Sequence, residues 1–249
     1  MFWKHWDASV AGKLKTFAPM RTVFTLLILS ISPLTFAARP FVTDDARLTT
    51  SGSCQLESWT RNYKGSNQFW AFPACNPTGN FEITAGVGST KPTGEAAVND
   101  YVFQGKTLFR NLTTNDYGFG LAVGQIQHPS TTSGPNGLGN TYAFVPLSIS
   151  TNNDKLIVHT NLGWLKDKQT SQQQMTYGIG SELQASSRTI VIAEIFGDNK
   201  TKPYWQTGAR YSLIPNLLQL DATIGQQFDR GTSTRWISFG LRYIPDSLF

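Results

Sequence analysis

The sequence predicts an all-β protein: a single antiparallel transmembrane β-barrel of about 12 strands, preceded by a cleaved signal peptide. Three observations predict it. Apolar and polar residues alternate at a spacing of two from Cys54 to Ile244, the connectors between the alternating runs are short and long in turn, and the chain opens on an export signal. Alternation alone fits a water-soluble sheet equally well. The connectors and the signal decide for a barrel, because outer-membrane barrels combine short periplasmic turns with longer outer loops.

Composition agrees. Charged residues make up 15% of the 249-residue chain, below the usual quarter, yet mean hydropathy is only -0.23. Gly, Ser, Thr, Asn and Gln fill the gap, which suits a polar lumen inside an apolar wall.

Residues 1–37 read as the signal peptide: Lys13, Lys15 and Arg21 precede the apolar run Val23 to Ile31, and Thr35-Phe36-Ala37 supplies small residues for cleavage after Ala37. Met20 offers a second start, from which the signal is compact. The apolar run is about half of the roughly 20 residues a spanning helix needs. The chain is therefore exported and enters a membrane only as strands, and the location this implies is the outer membrane of a Gram-negative bacterium. Removing residues 1–37 takes away Lys4, Lys13, Lys15, Arg21 and Asp7, so the formal charge falls from +5 to +2. The basic balance gives no case for nucleic acid.

Residues 38–52 form a periplasmic or lumenal segment and residues 53–249 the barrel. Within the segment, 39–52 is a candidate plug, and Asp44-Asp45 is placed to cap a turn or, alternatively, to bind a cation. Strands are expected at 53–63, 67–75, 80–88, 100–110, 117–127, 140–150, 154–164, 174–183, 188–196, 203–213, 216–226 and 234–244. Most match the roughly 9–11 residues of a tilted transmembrane strand. Cys54 and Cys75 lie symmetrically about the turn at Lys64-Gly65, so a regular hairpin sets them opposite each other and an oxidising periplasm favours a disulfide.

On 117–127 the residues opposite Phe119, Leu121 and Val123 are Gly118, Gly120, Ala122 and Gly124, small enough to leave room inside. The strand at 188–196 is ambiguous, with only Glu194 to mark an inner face. Aromatics near strand ends, including Tyr63, Trp70, Tyr142, Trp164, Phe196, Tyr204 and Trp236, are expected to form girdles at the bilayer interfaces. The terminal run through Tyr243 to Phe249 is the expected signal for the barrel assembly machinery, although Pro245-Asp246-Ser247 interrupts it.

No phosphate-binding loop, zinc pattern or nucleophile elbow is present, so no cofactor, metal site or catalytic residue is expected. His128-Pro129-Ser130 puts an imidazole and a hydroxyl two residues apart, the spacing used by the outer-membrane phospholipase. The Ser/Thr/Gly-rich surroundings read better as an outer loop, because a base and nucleophile need a rigid scaffold and an orienting third group. The charged residues expected to line the lumen are Glu57, Arg61, Glu82, Lys106, Arg110, Glu182, Glu194, Arg210, Asp221 and Arg242. A mixed-charge lumen of this strand number is expected to be narrow or partly plugged.

Ala38-Arg39-Pro40-Phe41-Val42-Thr43-Asp44-Asp45-Ala46 followed by Cys54-Gln55-Leu56-Glu57, together with Val191 to Gly197, Gly208-Ala209-Arg210-Tyr211 and Leu218 to Ala222, resembles the exported barrels named the MetA-pathway of phenol degradation family. The resemblance implies an outer-membrane location and movement of small hydrophobic or aromatic compounds. It transfers no binding residue.

The function expected is thus passive passage or uptake of small solutes, apolar ones included, by a non-enzymatic barrel surrounded by outer-membrane lipid. A closed structural or adhesive barrel acting through its outer loops is the alternative. An outer-membrane lipid hydrolase using Ser130 is the remote one.

Overall fold

The computed structural model describes residues 41–128, 139–168, 170–245 and 248. The signal-peptide reading of 1–37, the loop containing Ser130 and the terminal Phe249 lie outside these residues. Twelve strands form one closed antiparallel barrel in which each pairs with its chain neighbours. They are β1 (Ser53–Tyr63), β2 (Ser66–Asn76), β3 (Phe81–Pro92), β4 (Val98–Arg110), β5 (Tyr117–Gln127), β6 (Asn140–Thr151), β7 (Leu156–Lys166), β8 (Gln173–Gln184), β9 (Thr189–Asp198), β10 (Tyr204–Ile214), β11 (Leu218–Gln227) and β12 (Trp236–Tyr243). Closure comes from β1 against β12, from Leu56↔Tyr243 to Tyr63↔Trp236. No strand edge is left for lipid to contact.

The two-residue period sorts side chains cleanly. Leu56, Phe69, Ile83, Phe103, Val123, Val145, Leu162, Ile179, Ile195, Tyr211, Leu220 and Phe239, one from each strand, are all exposed on the outer face, with Leu162 at 61%. A continuous apolar band of this kind suits hydrocarbon and not water. On β9 the ambiguity resolves through Glu194, which is buried inside together with Ile192 and Phe196, while Val191 and Ile195 face out.

Strand boundaries differ from expectation where the backbone forbids or extends pairing. The turn after β6 occupies 152–155, because Asn152, Asn153 and Asp154 all have φ near +60° (55°, 57° and 63°). Left-handed residues cannot sit in a strand, so β7 starts at Leu156 and not at 154. At the opposite end β3 runs on to Pro92 and β4 begins at Val98. Their ladder reaches Thr90↔Val98, which shortens the expected loop to 93–97.

The short turns after β4 and β6 are laced together. Asn115 Nδ2 donates to Asn153 Oδ1 and the Asn153 N–H donates to Asn115 Oδ1, both at 2.6 Å. Hydrogen bonds from Ser150 and Thr114 hold the Asp154 carboxyl below its ordinary range.

Cys54 and Cys75 are register partners on β1 and β2, joined by a disulfide with Cα atoms 4.0 Å apart. Both point away from the lumen, at the end of the barrel opposite the β1–β2 hairpin turn. Closing this loop removes denatured-state entropy, so a Cys54→Ala/Cys75→Ala variant is expected to lose about 3 kcal/mol of stability. Denaturant titration in detergent should register that loss while conductance stays unchanged; a change in conductance would mean that the bridge also shapes the lumen.

Candidate functional site: a plugged lumen

The period-2 face that points inward from the strands carries buried charge in register. Glu57 opposes Arg242, Glu82 opposes Lys106 and Arg210 opposes Asp221, each pair directly across a strand boundary. Opposed charges at this spacing stabilise one another. Arg242 Nε lies 3.0 Å from Glu57 Oε1 and Lys106 Nζ 3.7 Å from Glu82 Oε1. Arg210 also reaches along the wall to Glu182, at 3.1 Å.

Through this charged interior runs the segment that precedes β1. Phe41 to Ala46 are all buried, with Ala46 at 0% and Thr43 at 2% exposure. A segment lying loosely in a water-filled pore would be wetted. Buried main chain without a ladder must find partners elsewhere, and here inward side chains of the barrel supply them. Glu194 accepts the N–H groups of Val42 (2.6 Å) and Thr43 (2.9 Å). Asn161, with its amide oriented to suit its partners, accepts the Asp44 N–H at 2.7 Å and donates to the Asp44 carbonyl at 2.9 Å. Ser148 Oγ accepts from Ala46, Glu82 accepts from Thr49, and Asn76 Nδ2 donates to the Thr49 carbonyl.

Side chains add a second grip. Lys106 donates to Asp44 at 3.1 and 3.3 Å, and Arg47 bridges Asp45 (3.3 Å) and Glu182 (3.2 Å). Ser148 hydrogen-bonds its register partner His159, whose ring packs edge-on against Phe41 at 5.5 Å. At Asp44-Asp45, Asp45 Oδ1 accepts the Arg47 N–H, as a turn cap does, and Asp44 pairs with the Lys106 ammonium of the wall.

The wall of β8 is cut away to receive the segment. A Cβ at Gly180 would come within 2.8 Å of Phe41 Cε1, and one at Gly178 would collide with the Thr43 hydroxyl. Gly180→Val is therefore expected to push Phe41 out of its seat. Limited proteolysis of the reconstituted variant should cut residues 41–49 several-fold faster than in the parent; an unchanged rate would show that the seat does not depend on this cradle.

Two cavities flank the segment. One, of about 200 Å³, is lined by Arg47, Asp154, Glu182, Gln184, Arg210 and Gln219 among others. The other, of about 40 Å³, lies between Asp44, Gln55, Glu57, Phe72, Glu82 and Lys106.

Of the residues expected to line the lumen, Glu57, Glu82, Lys106, Glu182, Glu194, Arg210 and Asp221 are buried inside. Arg242 and Arg61 also face inward, the latter 5.0 Å over the Trp236 ring. Arg110 departs from the expectation. A register shift between Leu108 and Arg110 turns it outward at the rim, where it pairs with Asp116 at 2.5 Å and lies 4.0 Å over Tyr117.

The aromatic girdle also needs correction, because six of the seven aromatics named for it point inward, although others expected in it, Tyr101, Phe109, Tyr177, Tyr211 and Tyr243, are exposed on the outer face. Trp70, Tyr142, Phe196 and Trp236 are buried in the interior, and Tyr63 and Tyr204 pack with Val42 against Phe196 and Trp236. Trp164 does face outward. The small residues of β5 leave no open room either, since Tyr142 and Leu108 fill the space beside Gly124 and Gly120. Neutral polar groups that bind the segment, Asn161, Ser148 and Asn76, were not among the expected site residues. Their one sequence signal is inward parity with His159 and Glu82. His128 binds Asp100 through Nδ1, and its expected partner Ser130 lies outside the described residues.

A family model described as Uncharacterised conserved protein UCP029691 matches residues 25–243. No curated protein sequence matches the chain. The fold is similar to that of the KdgM porin, with a TM-score of 0.55 and 10% identity over 76% of this chain and 98% of the porin. The KdgM porin in complex with disordered oligogalacturonate gives 0.58 and 9% over the same shares. The NanC porin gives 0.56 and 6%, again over 76% and 98%. At these identities the likeness is one of fold, that of small porin barrels.

Proposed function

Since the chain belongs to the family described as Uncharacterised conserved protein UCP029691, we propose its function from the lumen itself: a narrow outer-membrane barrel, closed at rest by residues 41–49, that passes small solutes when this segment withdraws. The observation that carries the reading is the burial of residues 41–46 among barrel side chains that bond to their main chain. The porin-like fold supports a passage; the plug makes it conditional.

The inward aromatics support a preference among solutes. Trp59 stacks on both Trp70 and Phe72 along the inner faces of β1 and β2, with centroids 6.1 and 5.1 Å apart, and Tyr142 stacks on Phe144. Such surfaces favour solutes with a flat apolar face, the class that the resemblance to phenol-degradation barrels also implies.

Reconstitution in planar bilayers and liposomes tests the reading. A closed baseline broken by brief openings is expected, with slow uptake of small aromatic solutes. Steady high conductance would overturn the closure. No opening and no uptake would instead assign the second reading, a closed barrel acting through its outer loops, which the same buried segment favours.

A further inference from the structure

The barrel groups that seat the plug read its main chain, and from this we propose that the lumen is a binding site for short peptides, occupied here by the chain's own residues 41–49. The inference rests on the reading of that segment as a plug. A loop built only to fill space satisfies its main chain by local turns and packs through its side chains. This one caps only the Asp45 and Arg47 N–H groups within itself. Its other bonded main-chain groups go to side chains of the barrel wall.

Glu194 is the clearest case, because its two oxygens take two consecutive N–H groups. Asn161 pairs with both the N–H and the C=O of one residue, a contact that any amino acid but proline at that position can make. Charge-assisted bonds of the Glu194 kind are the stronger ones. A binding site that grips main chain in this way accepts peptides generally and selects among them by what its pockets hold.

Those pockets repeat every three residues. Phe41 occupies the space above Gly180, Asp44 meets Lys106, and Arg47 meets Glu182. The ligand class is a short peptide with an aromatic residue first, an acidic residue three positions on and a basic residue three beyond that. The same lumen that passes small solutes would then capture such peptides once the plug is out.

The test uses the full chain carrying Asp44→Asn and Arg47→Ala, which weakens the plug and leaves every barrel group intact. This variant is expected to conduct in planar bilayers. The capped peptide of residues 41–49 should close it in a saturable way. The same peptide N-methylated at positions 42, 43 and 46 should have no effect, and one with Asn in place of Asp44 should act at least about tenfold more weakly. A conducting variant that the native peptide fails to close overturns the peptide site alone. Equal closure by the N-methylated peptide overturns main-chain recognition. If this variant is silent, the peptides are applied to a barrel lacking residues 41–49, and silence of that barrel too overturns the plug and this inference with it.

Discussion

Deleting residues 41–49 is expected to turn a nearly silent barrel into a conducting one. The deletion removes the buried stretch from Phe41 to Ala46 and every bond that Glu194, Ser148 and Glu82 make to it, while the β1–β12 ladder that closes the wall is untouched. Water then occupies the emptied lumen and resolvates Lys106, Glu182 and Glu194, so these charges are not left stranded in a dry interior. The barrel is expected to fold and to show a conductance at least about tenfold above the full chain, since the space that the segment fills between the inward charges is then open to water and ions. Single-channel recording measures the change. If the deletion variant stays as quiet as its parent, the inward aromatics and not residues 41–49 close the lumen.

Lys106→Met is the point substitution with the largest expected effect. Lys106 Nζ lies 3.1 Å from Asp44, 3.7 Å from Glu82 and 4.0 Å from Asp45, and all four side chains are nearly inaccessible. Here the plug stays in place and keeps water out, so three carboxylates lose the cation they share. Removing one partner of a buried ion pair costs about 3–5 kcal/mol, which lowers the ratio of closed to open barrel by roughly two to three and a half powers of ten. Frequent openings are expected, with rapid proteolysis of residues 41–49. Lys106→Arg should stay mostly shut, and adding Asp44→Asn to Lys106→Met should recover part of the closure by removing one stranded charge. A Lys106→Met barrel with wild-type gating would mean that the ion cluster contributes nothing to seating.

The strands were legible because lipid outside and polar lumen inside impose the same two-residue period on every one of them. Leu162 and Phe239 on the outer face, and Glu57, Glu82 and Lys106 on the inner, follow from parity alone. What parity cannot express is the content of the lumen. Trp236 opens β12, where interface aromatics sit, but shares its parity with the inward Arg242, and Trp70 in the middle of β2 shares its parity with the inward Gln68. Reading position before parity sent them to the wrong face. Arg110 failed for a different reason, since the irregularity after Leu108 resets the alternation without any glycine or proline to announce it. The plug was visible as a segment but its partners were not. Glu194 lies 152 residues from Val42 along the chain, and no local pattern connects them. Asn161 and Ser148 read simply as wettable lumen residues until something is placed against them.

That separation along the chain has a consequence for the order in which the molecule is made. The grip on Val42 and Thr43 does not exist until β9 stands in the wall, and the wall is not complete until β12 returns to β1. Contacts so remote in sequence form late, after the loop entropy of everything between them has been spent. Seating of the segment therefore waits for the ninth strand, while closure of the wall, across the still longer stretch from Leu56 to Tyr243, waits for the twelfth. The segment and its seat at Glu194 are thus both made before the last three strands, so the chain holds both halves of its stopper before it holds both halves of its seam.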